Sequence, residues 1–87
     1  MMPIIEVGKQ YSFKTLTFYY IGTVTDFYPS HAKISDAIEV FETGSNEDYY
    51  KGKIKNYEPI PDGSFIPLTG GVIIMPYAAK VQPKNNS

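Results

Sequence analysis

Eighty-seven residues, 43% hydrophobic and 15% aromatic, make one small domain near the lower limit for a chain that folds alone, and argue against a disordered polymer. No cysteine is present, so no disulfide or thiolate metal site staples the fold; this favours self-association and fits a reducing cytoplasm. Eight lysines, no arginine and nine acids give a net charge of -1, which disfavours general electrostatic binding of nucleic acid.

Met1 to Gly8 lacks the basic region and long apolar core of a signal peptide. No apolar run approaches the roughly 20 residues of a membrane span. The expectation is a soluble, cytoplasmic protein with no membrane partner.

The first predicted strand is Gln10 to Thr17, where Tyr11 and Phe13 alternate with Ser12 and Lys14. The second is Phe18 to Phe27, rich in aromatic and β-branched residues. Gly22 interrupts it and marks a bulge or bend. Tyr28-Pro29-Ser30-His31 reads as a turn, because Pro29 has no backbone donor. The third strand is Ala32 to Phe41, with Ile34, Ile38 and Val40 expected on one face and Lys33, Ser35 and Glu39 on the other.

Gly44 to Asp48 is the strongest break. Ser45 or Asn46 suits the cap of a short helical turn from Asn46 to Lys51; a plain loop is the rival reading. Ile54 to Ile60 is the next strand, followed by a turn over Pro59 to Gly63 with Asp-Gly as its tightest signal. Ser64 to Leu68 forms another short strand, and Thr69-Gly70-Gly71 another turn. Val72-Ile73-Ile74-Met75 is continuously apolar and is expected to be buried on both faces. Residues 1–81 form the single domain; Gln82 to Ser87 is polar and reads as a disordered tail.

The chemistry-bearing residues are few. His31 is the only histidine, and a lone histidine beside a turn is ordinarily a solvated surface residue. No nucleophile, histidine and acid set is visible, so no enzyme and no cofactor is expected. Asp26 and Asp36 flank one turn; they form either a carboxylate pair or two unrelated turn and backbone contacts. Seven of the eight tyrosines (Tyr19, Tyr20, Tyr28, Tyr49, Tyr50, Tyr57 and Tyr77) exceed what a small core hides, so some belong at the surface or at a subunit contact.

Gly22-Thr23-Val24-Thr25-Asp26 followed by Ile34-Ser35-Asp36-Ala37-Ile38-Glu39 resembles the first box of the Sm-like family. Gly70-Gly71-Val72-Ile73-Ile74 is similar to its second box. The chain also resembles small bacterial and phage proteins with an Ile-Glu-Val-Gly-Lys start, a Pro-Asp-Gly turn and a closing apolar strand; for those the resemblance implies no activity. The Sm-like resemblance implies an all-β fold: a small, strongly bent five-stranded antiparallel barrel of Sm-like or SH3-like type that joins copies of itself in a ring. In that family an Asn in the loop after strand 2 and an Arg in the turn after strand 4 line a uridine pocket. Both are absent here. Met1 to Val7 is short and rich in β-branched residues for the family's N-terminal helix.

The expected ligand positions are Tyr28, Ser30, His31, Gly70 and Gly71, with Tyr28 and His31 stacking on a base. The expected subunit contact pairs Ser64, Ile66 and Leu68 of one copy with Val72, Ile73, Ile74 and Met75 of the next. Two function classes stay open. One is a non-enzymatic homo-oligomer binding RNA or a nucleotide. The other is a protein-interaction module of phage or mobile-element type that contacts a host protein and no nucleic acid.

Overall fold

Tyr11 and Phe13 alternate with Ser12 along the first strand, and that alternation splits the packing into two layers, one on each side of a sheet. The computed structural model describes residues 5–83. Its elements in chain order are β1 (Gln10–Lys14), β2 (Tyr19–Phe27), β3 (His31–Glu42), α1 (Asn46–Tyr50), β4 (Asn56–Ile60), β5 (Ser64–Pro67) and β6 (Ile73–Pro76). The fold is all-β with one short helix. Its strands form one antiparallel sheet, ordered β4-β3-β2-β1-β6, with β5 also paired to β3.

In place of the expected five-stranded barrel the described residues form an open sheet of six strands, and the extra strand has a local reason. β2 occupies one edge of β3, so β4 and β5 share the other. Ala37 pairs with Ile60 and Ile34 with Ser64, so β4 and β5 follow one edge with Pro61-Asp62-Gly63 between them. Pro61 offers no donor to the ladder. Gly63 turns the chain with φ 84° and returns its N–H to Ile34 O at 2.9 Å. Opposite this break Asp36 adopts φ 50°, and its N–H donates to Asp62 Oδ1 at 2.9 Å.

That bulge corrects the expected facing of β3. Ile21 pairs with Ile38, but Thr23 pairs with Ser35, so Asp36 and Ala37 together oppose Gly22. The extra residue reverses the alternation. Ile34 and Ala37 join one cluster with Tyr11, Phe13, Val24 and Ile66, on what we term the core face. Val40, and Ile38 beside it, join a second cluster with Ile21, Tyr49 and Tyr77.

The second cluster lies under α1, on the helix face. Ser45 caps α1 by accepting from Asp48 N at 3.1 Å. Tyr49, 1% exposed, turns inward from this helix. Its hydroxyl meets Ser12 Oγ at 2.7 Å, and its backbone carbonyl accepts from the Tyr77 hydroxyl. The segment after β6 closes over the same face. Gly52 sits against it so tightly that a Cβ there would collide with the Lys80 carbonyl oxygen. Gln82 N donates to Gly52 O at 2.8 Å and Gln82 O accepts from Tyr57, so the start of the expected tail is tied down. Residues 84–87, the rest of that tail, and residues 1–4 lie outside the described residues. No helix among the described residues is long and apolar enough to cross a membrane.

The Val72–Met75 run is not buried on both faces within one chain. Ile74 packs against the core-face cluster, whereas Ile73 on the opposite side of β6 is 52% exposed. β6 pairs with β1 along one edge only.

Candidate functional site

The β2–β3 turn gathers three aromatic rings. Tyr28 N donates to His31 O at 2.9 Å, closing the turn that holds Pro29 and Ser30. The Tyr28 and His31 rings then overlap at 4.7 Å with a 31° tilt. Ser30 Oγ lies 2.9 Å from His31 Nδ1. Phe65 meets the His31 ring edge-on at 4.9 Å. β5 brings it there, because pairing Lys33 with Phe65 and His31 with Pro67 sets Phe65 beside the turn. Ile66 points to the core face and is 2% exposed; Phe65 points away and is 60% exposed.

Tyr28, Ser30 and His31 are therefore brought together. His31 is half-buried between two rings rather than solvated, and Tyr28 is 46% exposed. Gly70 and Gly71 lie in the β5–β6 connection with φ of 85° and 88°, both exposed. Leu68 N donates to Ser30 O at 2.9 Å, tying the start of that connection to the aromatic turn. Gly70 itself lines a neighbouring cavity of about 560 Å³ on the core face. Its floor carries Tyr20, whose hydroxyl donates to Glu39 Oε2 at 3.1 Å.

The residues expected at a subunit contact divide. Ile66 is buried on the core face, with Leu68, Val72 and Ile74 packed against that cluster. Ser64 is half-buried at the start of β5. Met75 accepts a contact from the Tyr50 hydroxyl at 3.9 Å. Ile73 remains open. The β5 edge away from β3 and the β6 edge away from β1 carry no strand among the described residues.

Asp26 and Asp36 do not converge. Asp26 pairs with Lys33, while Asp36 stands opposite Gly22, about 13 Å along the strand at 3.3 Å per residue. Among the described residues no group of three or more metal-ligating side chains is found. The tyrosines also divide. Tyr11, Tyr49 and Tyr77 are buried, and Tyr28 and Tyr50 are exposed. Burial pushes the Tyr49 hydroxyl up to about 12 and raises that of Tyr77.

Sequence reasoning missed Phe65 and the Tyr20–Glu39 pair. Phe65 is recruited by the β3–β5 register, in which it pairs with Lys33. Tyr20 and Glu39 are direct cross-strand partners in the β2–β3 hairpin, so a hairpin alignment with the correct bulge would have found them. No family model, no curated protein and no solved structure matches the chain.

Proposed function

We propose that this chain is a non-enzymatic binding module on an Sm-like barrel plan, which closes by joining copies of itself in a cytoplasmic ring. The observation that carries this reading is the pair of uncovered strand edges on β5 and β6, flanked by exposed Phe65 and Ile73. Open apolar edges invite pairing with another strand. Pairing β5 of one copy with β6 of the next would cover both. The strand order is compatible with it: β6 lies beside β1 at one edge and the divided β4/β5 strand forms the other edge, so the sheet runs as a five-position meander.

The ligand reading rests on Tyr28, Ser30 and His31. An exposed tyrosine stacked on a histidine offers one free ring face to a nucleobase of RNA or a nucleotide, with Ser30 beside it as a hydrogen-bond partner. Gly70 and Gly71 leave the neighbouring connection open, since a Cβ at either would meet nothing within 4 Å. The second reading, a module that contacts a host protein and no nucleic acid, is favoured by the missing arginine.

Light scattering on the full chain, with a titration of short uridine- and adenine-rich oligomers at low salt, tests both parts. A multimer that binds oligomers supports the first reading. A multimer that binds none turns it to the protein-contact reading. A stable monomer at high concentration removes the ring.

A further inference from the structure

Glu39 is the one carboxylate among the side chains that line the core-face cavity. Tyr20 stands opposite Glu39 in the β2–β3 register, and Glu58 stands opposite Glu39 on β4. The Tyr20 hydroxyl satisfies Glu39 Oε2 at 3.1 Å. Glu39 Oε1 is not the oxygen that accepts from Tyr20, and Glu39 takes no part in the ion pairs at Glu6, Glu42 and Glu47. Burial, with the hydrogen bond to Glu39, raises the Tyr20 pKa, so the phenol is a neutral donor to that carboxylate.

The surrounding cavity of about 560 Å³ gives this charge its setting. Ile60, Ile66 and Val72 form apolar walls, and no lysine or histidine lines the space. Glu39 is half-buried beside these apolar side chains, and a cation entering the cavity would form a charge-assisted hydrogen bond with its carboxylate. The larger cavity, about 780 Å³ beside β6, differs in this respect. Glu6 shares it with Lys9 and Lys80, so its charges already offset one another.

We propose that the core-face cavity is a binding site for an ammonium group carried on an apolar stem. Glu39 Oε1 takes the ammonium, the Tyr20 hydroxyl holds the other carboxylate oxygen, and Ile60, Ile66 and Val72 take the stem. The same chemistry is offered by a free alkylamine and by a lysine side chain. The cavity is lined by the β5 residues Ser64 to Pro67 and so adjoins the strand edge of the proposed ring, but it includes neither Tyr28 nor His31. Light scattering and the oligomer titration report on the ring and the base-stacking site, and the amine titration reports on this one.

The test is a titration of the full chain followed by amide NMR. Hexylammonium should give saturable shifts at Tyr20, Glu39, Ile66 and Val72, and hexanol and hexanoate should bind far more weakly. Glu39→Gln should weaken hexylammonium at least about tenfold, the loss expected for one charge-assisted hydrogen bond. Glu42→Gln, whose carboxylate pairs with Lys55 outside the cavity, should leave binding unchanged. A blocked lysine, N-acetyl-lysine methylamide, separates the sources. Binding comparable to hexylammonium assigns the site to lysine side chains, and binding by hexylammonium alone assigns it to free amines. Hexanol binding as tightly as hexylammonium, shifts that do not saturate, or indifference to Glu39→Gln would each overturn the proposal. If Glu39→Gln does not fold, the three six-carbon probes on the parent chain decide by themselves.

Discussion

Gly22 lies so close to Ala37 that a Cβ on residue 22 would fall 2.8 Å from the Ala37 Cβ. The same atom would meet Ile34 Cδ1 at 3.0 Å. Both neighbours come from the bulged stretch of β3, where Asp36 and Ala37 share one partner position. The glycine is therefore required by space and not by an unusual φ. It lets the extra β3 residue press into the core face, and the reversal of facing after Asp36 follows from that.

Gly22→Ala should destabilise the domain by about 1–3 kcal/mol, the usual cost of overpacking. Ala37→Gly in the same chain should restore only part of the loss, since the Ile34 contact persists. Urea midpoints of the parent, both single variants and the double variant measure the coupling. A Gly22→Ala chain as stable as the parent would show that the bulge does not press on β2.

The buried Ser12–Tyr49 hydrogen bond makes a second prediction. Ser12→Ala leaves the Tyr49 hydroxyl without its 2.7 Å partner and should cost about 1–3 kcal/mol. Removing both groups, as Ser12→Ala with Tyr49→Phe, should recover much of that loss, because no orphan remains. Thermal melts of the four chains in the cycle decide it. Equal additivity of the single costs would show that the two hydroxyls act independently.

Tyr49 also sets an alkaline limit. Its hydroxyl titrates at about 12 in the folded chain and near the ordinary 10 when unfolded. Between these values the unfolded state has lost a proton that the folded state keeps. Stability is therefore fully present below pH 10 and falls as pH rises toward 12. Tyr49→Phe should be less stable near neutrality than at present but should lose less on going alkaline. Urea midpoints against pH, with tyrosinate absorbance alongside, measure the difference. Parallel profiles for parent and variant would remove Tyr49 as the cause.

Much of the fold was legible in the residues, and the reason differs by element. β1 alternates cleanly, Ser45 before Asn46-Glu47-Asp48 is a helix start, and Pro61-Asp62-Gly63 is a turn. Each is a local preference that tertiary contacts reinforce. The facing of β3 was hidden because one inserted residue at Asp36 inverts a period-two pattern. The strand count was hidden because the Pro-Asp-Gly turn divides one edge strand without changing its partner. Of the site, Tyr28, Ser30 and His31 are consecutive enough to be found as a turn. Phe65 and Glu39 are brought in by pairing register, which a period alone does not reveal.

The two isoleucines of β6 separate assembly from folding. Ile74 packs against the core-face cluster and Ile73 is 52% exposed on the other side. Ile74→Ala should lower stability by about 2 kcal/mol through the space it leaves. Ile73→Lys should hold its melting temperature at low concentration but lower the mass seen by light scattering. A dissociated Ile74→Ala chain of unchanged stability, or an intact assembly in Ile73→Lys, would place the subunit contact elsewhere.

Base binding at the aromatic turn should be weak in salt dependence and unequal between its rings. The chain has no arginine, and of the lysines near α1, Lys51 pairs with Glu47 at 3.0 Å and Lys55 with Glu42 at 3.4 Å. Few charges remain to neutralise phosphates, so the slope of log affinity against log salt should correspond to about two or three contacts per subunit. Tyr28 carries the exposed ring face, and Tyr28→Ala should cost about 1–3 kcal/mol per stacked base. His31 is covered by Tyr28 on one side and Phe65 on another, so it positions Tyr28 more than it meets a ligand. His31→Ala should therefore weaken binding less than Tyr28→Ala, and Phe65→Ala less again. Fluorescence titrations of a uridine-rich oligomer at two salt concentrations compare the three variants with the parent. Steep salt dependence with no effect of Tyr28→Ala would move the binding surface from the aromatic turn to the lysines around α1.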